Sequence, residues 1–217
     1  FYTANRLFGL SFTPLPDYVA YHPDVRAFEV KDRRGRVIGL YLADPFARPA
    51  KQSGAWMNNF QAQQRAGGRR LPVIVNVWNY NKAEAGAPVL LSWDDAETVF
   101  HEFGHALHGL LSDVEYPMLS GTRVPRDFVE FPSQVMERWL GSDEVLARFA
   151  VNPQGAPMPA DLIARIRRAQ TFNQGFSTVE YLASAIVDMD LHMQQQIAPD
   201  FDVAVFEAQS LARIDMP

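Results

Sequence analysis

The spacing of apolar residues changes period near Ser92, and that change restricts the fold more than any other feature of the chain. Before it, strand signals dominate. Val25-Arg26-Ala27-Phe28-Glu29-Val30 alternates apolar and polar side chains over most of its length. Lys31 to Arg36 is a polar turn, and Val37 to Ala43 returns as a second strand, so the two form a hairpin. Leu71 to Trp78 is apolar and rich in β-branched residues, and is expected to be a third strand. The polar stretch from Ala55 to Arg65, closed by Gly67-Gly68, is expected to be a helix. After Ser92 the period is helical. Asp94-Asp95 supply acidic side chains that suit free amides and the positive end of a helix dipole. That helix is expected to reach about Leu111. Further helices are expected near 127–140, 143–150, 160–172, 177–194 and 202–212, with 151–159 a Pro- and Gly-containing loop. Pro132 must either kink the 127–140 helix or lie in its first turn. The expected class is α+β: mostly α with a small β-sheet, residues 1–90 holding the sheet and 91–217 the helices.

Composition excludes several functions. A chain of 217 residues, 47% hydrophobic, buries roughly 70% of its extended surface on folding, enough for a sizeable core. It has no Cys, which excludes disulfide scaffolds, thiolate metal sites and Cys nucleophiles. The net charge of −5 argues against nucleic-acid partners. Two short basic runs, Arg33-Arg34-Gly35-Arg36 and Arg165-Ile166-Arg167-Arg168, read as solvated faces. No apolar run has the length of a membrane span, and no signal peptide is visible, so no membrane partner is expected and cytoplasm is the default compartment. The opening Phe1-Tyr2-Thr3 and the closing Asp215-Met216-Pro217 both read as cut ends.

The helix that begins at Asp94 carries His101-Glu102-Phe103-Gly104-His105. Residues four apart stand on one helical face, so the two imidazoles can converge on one ion. Glu102 is rotated away from that ion and suits a base acting on water beside it. The bland alternative is a helix whose histidines only pack or cap. Gly104 costs about 1 kcal/mol against Ala inside a helix, which close approach of another element would explain.

A third ligand is needed. His108 shares the face of His101 and His105 but reads better as a packing or solvated residue. Glu115, Glu130 and Glu137 are the later candidates. Glu115 precedes Pro117 in a loop, and Glu137 reads as a solvated helix-face charge. Glu130 stands between Val129 and Phe131, where burial of an unpaired carboxylate would be costly and an ion would be a partner. Glu97, one turn before His101, and Asp127, one turn before Glu130, can each accept the free N–H of a ligating imidazole. Equally, Glu97 can be a solvated charge and Asp127 a helix cap.

The stretch from Phe100 to Trp139 resembles the thimet oligopeptidase family of zinc metallopeptidases, in which His-Glu-Phe-Gly-His is followed 25 residues later by a ligand Glu; Glu130 stands at that place. Ser120-Gly121-Thr122, Asp127 to Gln134, Ser53 to Phe60 and Gly175 to Tyr181 are most similar to the peptidyl-dipeptidase branch. The resemblance implies a zincin-like core, one Zn²⁺ on His101, His105 and Glu130, Glu102 as general base, and oligopeptide substrates that lose C-terminal dipeptides. It also implies a longer enzyme: a helical portion before this chain, and oxyanion-stabilising residues beyond Pro217. The missing remainder of the same polypeptide is therefore an expected partner, and a zinc-binding piece without turnover of its own is the alternative function. The edge of the Val73–Trp78 strand is the expected seat for the substrate backbone.

Overall fold

The sheet joins a hairpin of neighbouring residues to a strand paired from far along the chain, Lys31 facing Val37 but Leu40 facing Val73. The structure, a computed structural model, describes residues 1–84 and 86–216. Ala85 and the terminal Pro217 lie outside the described residues. The chain divides into two units, Phe1–Pro157 and Met158–Pro217, and the division falls inside the expected 151–159 loop.

The first unit begins with α1 (Tyr2–Phe8) and β1 (Ser11–Pro14). The expected hairpin follows as β2 (Arg26–Lys31) and β3 (Val37–Phe46), paired antiparallel with Phe28 opposite Tyr41. The basic run at its turn has local partners. Arg36 donates to Asp32 at 2.7 Å, and Arg33 donates to the Phe8 carbonyl at 3.2 Å. Next come β4 (Trp56–Gln61) and β5 (Val73–Tyr80), in a mixed sheet of order β1-β2-β3-β5-β4. β5 runs parallel to β3 and antiparallel to β4.

Two expectations are corrected here. The segment from Ala55 to Arg65 is not a helix, because Trp56–Gln61 pairs along β5. As an edge strand it contacts the sheet on one side only, which tolerates the polar sequence for which a helix was expected. The Val73–Trp78 strand offers no edge, because β3 and β4 flank it on both sides. β4 has that open edge.

Helix α2 (Trp93–Leu110) packs across the sheet. It starts at a capping box: the Ser92 hydroxyl accepts from the Asp95 amide and the Asp95 carboxylate accepts from the Ser92 amide, both at 3.0 Å. Phe103, Ala106, Leu107 and Leu110 bury against Tyr41, Ile74, Phe28 and Val30. The other face of the sheet buries Ala27, Leu42, Val75 and Val77. Both faces of β5 are thus covered, which accounts for its nearly continuous apolar run. Helices α3 (Phe131–Glu137) and α4 (Asp143–Phe149) complete the unit. The expected 127–140 helix is shorter than its pattern suggested. Residues 126–130 form turns, and Pro132 lies in the first turn of α3, where its missing N–H costs nothing.

The second unit holds α5 (Ala160–Ala169), α6 (Gln174–His192) and α7 (Val203–Ala212). Within it, Asp190 of α6 accepts from Ser210 and, at 2.5 Å, from Arg213. The whole is α+β, as expected.

Candidate metal centre

The side chains at issue stand on two elements held in close contact. Gly104 of α2 faces α3 so closely that a Cβ there would lie 2.6 Å from Ser133 Cα and 3.0 Å from both Met136 Cβ and the Pro132 carbonyl oxygen. Only a residue without a side chain admits this approach. It brings the residue just before α3, Glu130, onto the His101/His105 face of α2. The Ser133 hydroxyl lies 2.9 Å from Glu130 Oε2 and from the Glu130 carbonyl, steadying the carboxylate from its own helix.

Glu130 Oε2 lies 3.2 Å from His101 Nε2 and 3.0 Å from His105 Nε2. One ligand atom from each of the three residues lies within 4.8 Å of the others. Tetrahedral zinc with bonds of about 2.0–2.1 Å sets neighbouring donors about 3.3–3.4 Å apart, so this spacing fits such an ion. The donor chemistry fits as well. Two imidazole nitrogens and one carboxylate oxygen leave a fourth position for solvent or substrate. Burial, with His101 adding and Glu130 opposing, holds the His105 pKa below the usual histidine range, which favours the neutral ligand form.

Glu102 is 7% exposed, and its Oε2 is buried with no hydrogen-bond partner. Burial raises its pKa; the nearby Glu130 charge adds to the effect and His101 opposes it. It lines the same cleft as the three candidate ligands, a space of about 320 Å³ that Trp56 and Met57 of β4 and the preceding Ala55 also border. Thr122 closes another side. Its loop is tied to the end of α2: Gly121 N–H donates to Ser112 Oγ at 2.7 Å, and Ser112 donates to the His108 carbonyl at 2.9 Å.

The remaining expected residues fall elsewhere. Glu137, read from the sequence as a solvated charge, instead meets the far side of the His101 ring: its Oε1 lies 2.5 Å from His101 Nδ1. A carboxylate there accepts the Nδ1 proton and directs the Nε2 lone pair toward Glu130. The available signal was its spacing of seven from Glu130, two turns along one face. Glu97 is not the partner of His101. It is half-buried, and burial together with the Glu137 and Asp94 charges raises its pKa. Asp127 is exposed in the turn before α3, and the cap position belongs to Glu130. Glu130 itself is exposed, with 51% of its side-chain surface open, so the expectation that it is buried between Val129 and Phe131 fails. It faces the imidazoles because α3 is set against α2. His108 lies outside the ligand group and packs against Phe128.

Residues 1–213 match the model of the peptidase M3 family. The chain is 48% identical over 220 residues to a dipeptidyl carboxypeptidase of Salmonella typhimurium and 47% identical to that of Escherichia coli. All of this chain and 32% of each relative are covered. It is 34% identical to oligopeptidase A of Escherichia coli, with 95% of this chain and 31% of that one covered. The chain therefore spans about a third of the length of these curated relatives. By its sequence, and with a His-Glu-x-x-His helix packed on a mixed sheet, the chain belongs to peptidase family M3.

Proposed function

We propose that this chain is the metal- and base-bearing part of a zinc-dependent metallopeptidase of zincin-like type that hydrolyses short oligopeptides. The observation that carries the reading is the convergence of His101 Nε2, His105 Nε2 and Glu130 Oε2 within 4.8 Å, with Glu102 in the same cleft. His101, His105 and Glu130 would hold the ion. Zinc, when bound, supplies Lewis acidity and lowers the pKa of water from 15.7 toward about 7. Glu102 accepts a proton from the attacking water and passes it to the leaving amine, a role that suits a carboxylate whose pKa is raised by burial. Glu137 holds the His101 ring and its tautomer. A peptide laid along the open edge of β4 would be bound through its main chain at Ala55–Met57, without reading particular side chains. Release of C-terminal dipeptides is supported by the names of the dipeptidyl carboxypeptidase relatives.

The test is made on the intact enzyme that carries this region. Glu102→Ala should keep one zinc per chain and lose hydrolysis, and peptides with an amidated C-terminus should be poor substrates. Full activity in Glu102→Ala would overturn the assignment. A second reading has its own support, since the chain spans 32% of its relatives. On that reading these 217 residues bind zinc but do not turn over alone. Peptide hydrolysis by the isolated chain, with added zinc and with a chelator, separates the two.

A further inference from the structure

Asn76 is the one polar residue in the run Val73 to Trp78, and it is 0% exposed. It stands between the sheet and α2 with both ends of its amide engaged. Its Nδ2 donates to the main-chain carbonyl of Glu102 at 2.8 Å, and its Oδ1 accepts from the Tyr41 hydroxyl at 2.9 Å. The carbonyl of Glu102 can only accept, so the amide orientation is determined. Tyr41 is 2% exposed, and burial raises its pKa, with the Glu102 charge adding, so the phenol stays a donor.

A carbonyl in mid-helix already has the N–H four residues on as its donor. Asn76 adds a second donor at the residue that carries the candidate base. An apolar side chain would fill the same core without the risk of burying an unpaired amide, which costs about 1–3 kcal/mol. The tie therefore needs a reason other than packing. The apolar contacts of Phe103, Ala106 and Leu107 with the sheet are non-directional, and none of them names a single partner atom. A hydrogen bond of this kind spans about 2.7–3.2 Å and weakens steeply below about 120°, and a slip of one helix residue is about 1.5 Å and 100°.

We propose that Asn76, oriented by Tyr41, is a positioning residue that sets the register of α2 on the sheet, and so the alignment of Glu102 with a peptide on the β4 edge. The proposal rests on Glu102 being the base. His101 and His105 ride on α2, and α3 with Glu130 is locked to it at Gly104. Loss of the tie therefore moves the metal ligands together and changes their alignment with the substrate.

In the intact zinc-loaded enzyme, Asn76→Leu removes both hydrogen bonds at similar volume. It should lower kcat toward a peptide by roughly 10²-fold, the effect of a misplacement near 1 Å, with KM and zinc affinity unchanged. Tyr41→Phe keeps the bond to Glu102 but frees the amide, and should give a smaller loss of the same kind. Val75→Ala, buried on the opposite face of β5, should destabilise the fold while leaving kcat alone. The proposal is overturned if Asn76→Leu keeps wild-type kcat, if it loses zinc, or if Val75→Ala at equal loss of Tm reproduces its kinetics. Should Asn76→Leu not fold, Tyr41→Phe decides, and unchanged kcat there overturns it. Glu102→Ala run alongside separates the two failures. Retained activity there removes the base assignment itself, whereas an inactive Glu102→Ala beside an unaffected Asn76→Leu removes only the register.

Discussion

Replacing Gly104 by Ala should abolish the metal site while leaving the fold standing. The added methyl would lie 2.6 Å from Ser133 Cα and 3.0 Å from the Pro132 carbonyl oxygen, both main-chain atoms of α3. Ordinary contact is about 3.5–4.0 Å, so α3 must retreat by about 1 Å. Overpacking of this kind costs about 1–3 kcal/mol, and the helix preference for Ala over Gly returns up to about 1 kcal/mol, so the net loss of stability is small. The site has no such tolerance. Glu130 immediately precedes α3 and is braced by Ser133, the residue that is pushed. Metal–ligand distances hold within about 0.2 Å, and a displacement five times larger withdraws one of three ligands. Zinc affinity, measured by competition with a chromophoric chelator, should fall by more than the roughly 10–100-fold seen when a supporting residue is changed. Circular dichroism should show a folded protein whose Tm is only modestly lower. Wild-type zinc affinity in Gly104→Ala would refute the claim that α2 and α3 must touch at this residue to assemble the ligands.

Other outcomes are expected. Glu137→Gln keeps the shape but removes the charge that holds the His101 tautomer, and should weaken zinc binding by about 10–100-fold in the same titration. Burial alone would raise the Asp44 pKa, but hydrogen bonds from Arg48, Lys51 and Tyr21 outweigh it and hold the carboxyl at about 2, against an ordinary 3.8. Asp44 is 1% exposed, and this gap is worth about 2 kcal/mol. Because the folded value is the lower one, the contribution is complete above the unfolded value. It is lost as pH falls from near 4 through about 2, a slope that Asp44→Asn should remove from acid unfolding curves. Ser92→Ala removes one arm of the capping box and should cost about 1 kcal/mol in thermal unfolding, with zinc affinity unchanged.

The candidate ligands were legible in one dimension because a helix imposes its own geometry. His101 and His105 share a face through spacing alone, Glu102 is turned beside them, and Ser92 with the acidic residues after it marks where that helix begins. The β2–β3 hairpin and the apolar β5 were legible for the same reason, since alternation and β-branching are local properties. Strand β4 was not. Its polar sequence has no strand pattern strong enough to declare itself, and it is a strand because β5 lies alongside. Glu130 and Glu137 show the same division within a few residues of one another. Family resemblance singled out the first, but its position against two imidazoles comes from the absence of a Cβ at Gly104. The second passed for a surface charge until α3 brought it to His101 Nδ1. Asn76 passed unremarked inside an apolar strand, because its partner lies 26 residues away on a helix that had first to dock. Short-range sterics and hydrogen bonding write helices and hairpins into consecutive residues. Contacts between elements depend on packing distances that no local pattern encodes, and those distances decided which carboxylate serves which imidazole.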